Sequence, residues 1–299
     1  MSTKSRSRRA EQVRQMQAAA ARKERVRRLA IAGTAGAVVV VVIVVLVVLK
    51  LTGAGTPSNN PAAAGGNAAQ TAKVVSLIES VPKSTLDKVG PGTVSNPPKA
   101  ITAPKLTADG KPRVLYVGAE YCPYCAATRW GIVQALSRFG AWSGLGLTSS
   151  TANDVYPNTP TLTFHGSSYS SQYLAFTGVE TKDRAGNPLE TLSAADSAVF
   201  EKYDSPPYVP EQGKLGIPFL DLGGSYMSSG TAYNPGILKG MTHVQIAHAM
   251  SNPSSPVAEA IDGEANIYTA AICSLTGNQP GAVCSAPGVK AAKSALGKG

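Results

Sequence analysis

Histidine is scarce in this sequence, and the patterns that serve hydrolysis or nucleotide binding are missing from it. Only His165, His243 and His248 occur among the 299 residues. The last two are five residues apart, so on a helix they would not share a face well enough to hold one metal ion. No Ser-His-Asp pattern, P-loop or dinucleotide fingerprint is present. We expect the histidines to be structural or surface residues.

The folded part of the chain also lacks a strong charge of one sign. The net charge is +10, but residues 1–28 hold ten Lys or Arg against two Glu, which accounts for +8 of it. The remaining 271 residues carry only +2. Nucleic-acid binding requires a basic face on the folded domain. We therefore expect no nucleic-acid partner.

One long segment lacks charge altogether. Residues 29–49 contain no ionisable side chain and end in a Val-rich run. As a helix this segment is about 30 Å long, the thickness of a bilayer's hydrocarbon core. The basic residues precede it, which by the positive-inside rule places residues 1–28 in the cytoplasm and the remainder outside. We predict a single transmembrane helix at 29–50, with the basic tail as a topology signal or as a helix on the anionic inner leaflet.

A cleaved signal peptide is the alternative for this segment. Signal peptides have an apolar core of about 7–15 residues and a short basic leader. Here the core is longer and the leader runs to 28 residues. Arg27-Arg28 before the core would also permit a twin-arginine signal, but the lengths favour a retained anchor.

Composition divides the rest of the chain into three parts. The stretch 51–72 is rich in Gly, Ala, Pro and Asn, which predicts a flexible linker. Residues 73–285 contain the apolar runs expected of one folded domain. The Lys-dotted stretch 286–299 is of low complexity, and we predict that it is disordered.

Cysteine is nearly as scarce as histidine, and its placement is informative. All four cysteines lie beyond the predicted anchor, on the oxidising side, which fits disulfide chemistry. Cys122 and Cys125 form a CxxC motif directly after the apolar run 113–118 and before a helix-like stretch at 123–139. Free N–H groups and the macrodipole at a helix N-terminus favour a thiolate, the species that attacks disulfides. The pattern predicts a thiol–disulfide redox centre.

The spacing within the motif also suggests roles. Cys122 is nearer the helix N-terminus and more exposed, so we expect it to attack, whereas Cys125, one turn further in, resolves the mixed disulfide. Pro123 occupies the first helical position, where a missing N–H is tolerated. Tyr124 offers the substrate an aromatic edge and no positive charge, so we expect an intermediate reduction potential.

Periodicity and capping residues predict the remaining elements of an α/β domain. The segments 161–165 and 173–177 carry strand-forming residues and are predicted to form a hairpin. The capping residues Ser193 and Thr242 predict helices that begin at about 194 and 243. A strand is expected at 217–222, with 226–227 continuing it as a hairpin.

The order strand, CxxC, helix, Gly-Ile-Pro, strand, helix resembles the thioredoxin-like fold over roughly residues 110–252. Three motifs are similar to those of a bacterial and archaeal family of membrane-anchored, thioredoxin-like proteins of unassigned function. They are GAEYCPYC at 118–125, DVYPNTP at 154–160 and AIC at 271–273. The resemblance implies redox activity through the cysteines without a bound cofactor.

The resemblance also implies where the other site residues lie. Ile217-Pro218 would form a cis-proline loop that faces the CxxC, with backbone free to pair with an extended substrate. Thioredoxins carry a buried Asp where this chain has Tyr116, so Glu120 is the nearest candidate proton acceptor. Tyr121 stands where a Trp usually precedes the CxxC and is a candidate substrate contact. A long insertion, at about 150–212, separates the helix after the CxxC from the Pro218 strand.

Other interpretations of the cysteines stay open. The CxxC motif could be an inert structural disulfide, or half of a zinc site with Cys273 and Cys284, although ten intervening residues are wrong for a zinc knuckle. We expect no metal site. Cys273 and Cys284 bracket a loop with Gly and Pro, and we expect a structural disulfide there; the alternative is a relay pair for the CxxC.

These observations predict a membrane-anchored, extracytoplasmic thiol–disulfide oxidoreductase. Its expected partners are exported cysteine-containing proteins or a membrane redox partner, with lipid contacts through the anchor and the basic tail. The alternative is a non-catalytic thioredoxin-like subunit of a membrane protein complex, in which the disulfides are structural. The long insertion motivates that alternative, because insertions of this kind often form partner surfaces.

Overall fold

The computed structural model describes residues 66–296, which form an α/β fold around one mixed β-sheet. The helices are α1 (Ala68–Glu79), α2 (Lys83–Val89), α3 (Pro123–Leu136), α4 (Ala194–Tyr203), α5 (His243–Ala249), α6 (Pro256–Leu275), α7 (Gly281–Cys284) and α8 (Pro287–Lys293). The strands are β1 (Lys99–Ala100), β2 (Thr107–Ala108), β3 (Lys111–Gly118), β4 (Ala141–Ser143), β5 (Gly146–Ser149), β6 (Pro160–Thr163), β7 (Ser168–Ser170), β8 (Ala175–Glu180), β9 (Phe219–Leu222) and β10 (Tyr226–Ser229). The transmembrane helix predicted at 29–50 lies outside the described residues. Among residues 66–296, no helix has both the length and the apolar character needed to cross a membrane.

Strand β3 is the centre of the main sheet. β8 pairs with it in parallel, and β9 pairs with it in antiparallel orientation on the other side. β10 returns antiparallel to β9 after a turn at Gly223-Gly224, and β1 ends the sheet beside β10. β2 pairs with the first residues of β3. Two parallel neighbours require a crossover connection, and α3 lies within it.

Alternation along β3 divides the core between the two faces of the sheet. Val114 and Tyr116 belong to the larger cluster, which includes Trp130 of α3 and Ile261 of α6. Leu115 and Val117 point the other way and join a smaller cluster. That smaller cluster also includes Tyr203 of α4, Val209, Phe219 and Met227. Because successive side chains of a strand face opposite sides, this alternation places α3 over the larger core.

Helix α3 is enclosed by the rest of the fold. Of its residues, only Tyr124 is not buried. α6 packs along it, and Gly131 makes this possible, since a Cβ there would lie 2.3 Å from Oε2 of Glu264. The helix that begins at the CxxC is therefore packed on nearly all sides.

Several local predictions are confirmed. The Ser193 hydroxyl accepts a hydrogen bond from the N–H of Asp196, and α4 begins at residue 194. Thr242 and Gln245 form a capping box at the start of α5. The predicted hairpin after residue 217 is present as β9 and β10. These signals act over a few residues, so they do not depend on how the rest of the chain packs.

The predicted hairpin between 161–165 and 173–177 is wrong. β6 pairs with β5, and β8 joins β3 in the main sheet. The stretch 150–212 is therefore not one insertion, because it contains a strand of the main sheet. Two separate segments flank that strand: β4 to β7 before it, and the α4 region after it. Strand-forming composition identified the strands but not their partners.

The prediction of a disordered end of the chain is wrong where the structure describes it. α8 occupies Pro287–Lys293, and its Val289 and Ala292 belong to the larger core. Two apolar side chains three residues apart give this Lys-rich helix one buried face. The predicted linker also ends earlier than residue 72, since α1 begins at Ala68 with Asn67 as its N-cap.

Candidate active site

The CxxC motif lies at the junction between β3 and α3. Cys122 is the N-cap residue of α3, and its Sγ accepts a hydrogen bond from the N–H of Cys125 at 3.3 Å. Pro123 occupies the first helical position. Both cysteines are free thiols. The sulfur of Cys122 therefore takes the place that a Ser or Asp oxygen fills in an ordinary N-cap, where a negative charge is stabilised.

The two sulfurs differ in exposure and in acidity. Cys122 is 5% exposed and Cys125 is fully buried. A hydrogen bond from the Cys125 thiol lowers the pKa of Cys122, and burial opposes this effect. The Cys125 N–H and the charge of Arg129 lower the pKa of Cys122 further. Burial raises the pKa of Cys125 well above its ordinary value. The structure thus makes Cys122 the more acidic and more accessible sulfur, although only a small fraction of this residue is exposed to solvent.

The loop that opens β9 meets Cys122. The Ile217–Pro218 peptide is cis, and the Cys122 thiol donates to the carbonyl oxygen of Ile217 at 3.7 Å. Pro218 is buried and Ile217 is half-buried. Residues 95 positions apart in the sequence are therefore neighbours at the reactive sulfur.

Aromatic side chains lie near the same cysteine. Tyr124 is 39% exposed, and its ring meets that of Tyr156 edge-on, with 5.9 Å between centroids. Tyr121 is half-buried on the turn before the motif, and burial raises its pKa. The residues predicted to contact substrate (Tyr121, Pro123, Tyr124, Ile217) thus all lie next to Cys122 in sequence or in space.

Glu120, the candidate proton acceptor, lies on the turn that leads into the motif. It is half-buried, and its backbone N–H donates to the carbonyl of Lys182 at 2.9 Å. Within residues 66–296, its carboxyl group makes no hydrogen bond to either sulfur. A role for Glu120 in proton transfer stays a prediction.

A buried ion pair under the motif escaped the sequence analysis. Arg129 of α3 donates to Glu180 of β8 through Nε at 2.7 Å and Nη2 at 2.6 Å, and Nη2 also reaches the carbonyl of Ala119 at 2.7 Å. Both side chains are fully buried. Tyr116 of β3 packs its ring 5.8 Å from the guanidinium carbon. In the sequence, the sign of this pair is an Arg four residues after Cys125 in a helix of mostly uncharged residues.

The second cysteine pair is bonded and lies elsewhere in the molecule. Cys273, near the end of α6, forms a disulfide with Cys284 of α7. Arg138, just beyond the far end of α3, donates to Thr269, one turn before Cys273. α3 ends at Leu136, so about 17 Å of helix separates this end from Cys125. The placement supports a structural role and not a relay.

No group of three or more His, Cys, Asp or Glu side chains between residues 66 and 296 is arranged to hold a metal ion. His243 is structural: its Nε2 lies 2.7 Å from the carbonyl oxygen of Thr148 and 3.0 Å from that of Thr161, between β5 and β6. His165 contacts Glu190 at the surface.

Fold and site together define an α/β protein with a CxxC motif at a strand-to-helix junction, opposite a cis-proline loop. A family model described as a domain of unknown function (DUF929) matches residues 99–274. That range is more than half of the chain, which therefore belongs to this family. No curated protein and no solved structure matches the chain.

Proposed function

We propose that this protein is a thiol–disulfide oxidoreductase that acts through Cys122 and Cys125. The observation that carries the proposal is the position of the Cys122 sulfur, which caps α3, accepts a hydrogen bond from the Cys125 N–H and touches the Ile217 carbonyl. Thiolates at such positions are stabilised, and thiolates are the reactive species in disulfide exchange.

The topology supports a thioredoxin-like fold for this domain. β3, α3 and β8 form a parallel unit with the CxxC at its first junction, and β9 and β10 add an antiparallel hairpin that opens on Pro218. α5 and α6 follow the hairpin. This order of elements is the one that the sequence resemblance implies, with extra segments placed before and after β8.

The proposed reaction balances without a further cofactor. The Cys122 thiolate attacks a protein disulfide, forms a mixed disulfide and releases one substrate thiolate. Cys125 then attacks the Cys122 sulfur, which forms the Cys122–Cys125 disulfide and releases the second substrate sulfur as a thiol. The substrate gains two electrons and two protons, and the enzyme dithiol loses them. The same steps run in reverse donate a disulfide to the substrate.

The proposed setting follows from the N-terminal sequence. The basic residues 1–28 and the uncharged residues 29–49 support a retained anchor with the CxxC domain on the outer side. Exported proteins with cysteines are then the available substrates, and a membrane redox partner would recycle the pair. Membrane fractionation of the full-length chain, with protease added from the outer side, tests this. A chain that stays in the soluble fraction would contradict it.

Replacement of Cys125 with Ser tests the chemistry. Without the resolving sulfur, mixed disulfides formed by Cys122 persist, so the Cys125→Ser protein should run as high-mass adducts on non-reducing gels and collapse to one band after reduction. The Cys122→Ser/Cys125→Ser protein is the control and should show no adducts. If the Cys125→Ser chain forms no adducts under oxidising growth, the proposal fails.

The narrow exposure of Cys122 favours one alternative, a non-catalytic subunit of a membrane complex whose motif is locked. The two functions differ in the acidity of Cys122. The pH dependence of its reaction with a small alkylating reagent gives the thiol pKa directly. A pKa below the ordinary value of a free cysteine supports the oxidoreductase, whereas an ordinary pKa with a very negative reduction potential supports the locked subunit.

A further inference from the structure

Two buried hydrogen-bond donors near Cys125 are left without acceptors. They are Nη1 of Arg129 and the hydroxyl of Tyr116, and neither makes a hydrogen bond with any residue that the structure describes. Buried polar groups are nearly always paired, so two unpaired donors on neighbouring side chains call for an explanation. Both lie in the layer between α3 and β3, beneath the redox motif.

Their position relative to Cys125 is fixed by the backbone. Arg129 is four residues after Cys125, so the two share one face of α3, and helical side chains lean toward the N-terminus. Ala119 connects them, because its carbonyl accepts from Nη2 of Arg129 and its N–H stabilises the Cys125 thiolate. Gly118 leaves the room that the Tyr116 hydroxyl occupies, since a Cβ there would lie 2.1 Å from that oxygen.

We propose that Arg129 and Tyr116 stabilise the thiolate that Cys125 forms when it resolves the mixed disulfide, with Glu180 as the positioning residue that holds the guanidinium. This inference rests on the proposed redox function. In the resting protein Cys125 is a neutral thiol, and the two donors have no anion to bind. Once its proton leaves, the sulfur carries a charge in a medium of low dielectric constant, where a facing cation and a phenol are most effective.

The step needs no buried base. Cys125 gives up its proton to solvent, its thiolate attacks Sγ of Cys122, the Cys122–Cys125 bond forms and the bond from Cys122 to the substrate breaks. The substrate sulfur leaves with the electron pair and takes up a proton. The ionisable groups that interact with Cys125 are Cys122 and Arg129 of the α3 region, Tyr116 of β3 and Tyr121 of the turn before the motif, with Glu180 of β8 acting through Arg129. This chain thus replaces the acid expected near the motif by groups that stabilise an anion.

Stopped-flow kinetics of the full-length protein in detergent can test this inference. The reduced protein is mixed with a synthetic peptide disulfide, whose cleavage gives a first phase (attack by Cys122) and a second phase (resolution by Cys125). The measured quantity is the pH midpoint of the second phase. Arg129→Met should raise the midpoint, Tyr116→Phe should raise it less, and Glu180→Gln should lower it by leaving the guanidinium uncompensated. A midpoint one pH unit higher slows resolution at pH 7 by about threefold. There is then about tenfold less thiolate, but the thiolate that remains is more nucleophilic.

Opposite shifts in the Arg129 and Glu180 variants are decisive, because purely structural damage would not move the midpoint in two directions. Arg138→Met is the matched control, a half-buried Arg just beyond the other end of α3, and should leave both phases unchanged. If Arg129→Met does not fold, the uncharged pair Arg129→Met/Glu180→Gln replaces it and should again raise the midpoint. Unchanged midpoints, or shifts of one sign, overturn the inference. No first phase in the unaltered protein would overturn the redox function itself, and this inference with it.

Discussion

At the scale of single residues, Asp221 couples the stability of the sheet to pH. It lies on β9, buried, and its Oδ1 accepts from the N–H of Gly224 at 2.7 Å. Burial raises the pKa of its carboxyl group to about 6, although the Gly224 N–H and Arg113 favour the ionised form. The folded state therefore binds this proton more tightly than the unfolded state. Its contribution to stability is complete below the unfolded pKa and is lost as the pH rises through about 6.

Replacement of Asp221 with Asn should stabilise the protein at pH 8. An amide keeps an acceptor for Gly224 and removes the buried charge, whose two-unit pKa shift corresponds to about 3 kcal/mol. We expect a gain of about 1–3 kcal/mol at pH 8 and little change at pH 4, measured by denaturant unfolding at both values. An Asp221→Asn protein that is less stable than the unaltered chain at pH 8 would contradict the assignment.

The residues of the candidate site differ in how far the sequence could reveal them. Cys122, Cys125 and the Ile217-Pro218 pair could be identified because their spacing is short and their chemistry is specific. The Arg129–Glu180 pair could not, since 51 residues separate the partners and their meeting depends on β8 lying beside β3. The sequence pattern predicts a hairpin for that strand, and a hairpin does not bring its last residue under the CxxC motif.

At the scale of elements, the contact between α3 and α6 depends on a missing side chain. Gly131 faces Oε2 of Glu264, which is fully buried and whose other oxygen accepts from the Tyr268 hydroxyl at 2.8 Å. Burial raises the pKa of Glu264 well above its ordinary value, which favours the neutral carboxylic acid. The two helices approach closely because α3 presents no Cβ at this point, which leaves the space that the Glu264 carboxyl group occupies.

Gly131→Ala should therefore destabilise the protein by about 1–3 kcal/mol, because the new methyl group overpacks the interface. The loss should be smaller when Glu264 is also replaced by Ala, and a double-mutant cycle from chemical unfolding measures that coupling. Gly213→Ala is the control, since a Cβ there meets nothing within 4 Å. Equal losses in both backgrounds would show that the contact is not the cause.

Elements were predictable where the signal was local. The starts of α4 and α5 follow from their capping residues, and β9 with β10 follows from two strand-like runs around Gly223-Gly224. Strand pairing was not predictable, because β6 and β8 both contain strand-forming residues but join different sheets. Burial on both faces of a strand removes the alternation that would mark its orientation, and β6 is buried at all four positions.

At the scale of the whole molecule, the Cys273–Cys284 disulfide ties the end of α6 to α7. It closes a loop of 11 residues, which in the chain-entropy description stabilises the fold by about 2–3 kcal/mol. The Cys273→Ala/Cys284→Ala protein should lose about that much stability in chemical unfolding and keep its rate of disulfide exchange. Loss of exchange in a folded protein would instead support the relay.

The folded unit extends beyond the range that the family model matches. Val74 and Ile78 of α1 and Val289 and Ala292 of α8 belong to the same core cluster as α3 and α6, although they lie outside residues 99–274. The α/β class was predictable from the order of strands and helices. The role of α8 in completing the core was not predictable, because its few apolar residues are spread through a Lys- and Ala-rich sequence.

Val289→Asp tests whether α8 completes the core. Loss of the buried valine and burial of a carboxylate should lower stability by about 2–4 kcal/mol. Ala291→Asp is the matched control, because Ala291 is an exposed position of the same helix. Thermal melting of the two proteins gives the comparison, and equal melting temperatures would show that this helix adds nothing to the core.

The last strand of the main sheet, β1, has a further consequence for how copies of this protein behave together. It is only two residues long and begins with Lys99, and the N–H of Ile101, the next residue, still bonds to the carbonyl oxygen of Ser225 on the β10 side. A foreign strand that approached this border would find few open backbone groups and a charged side chain. Crowded copies should therefore remain separate along this border and not join into continuous intermolecular sheets.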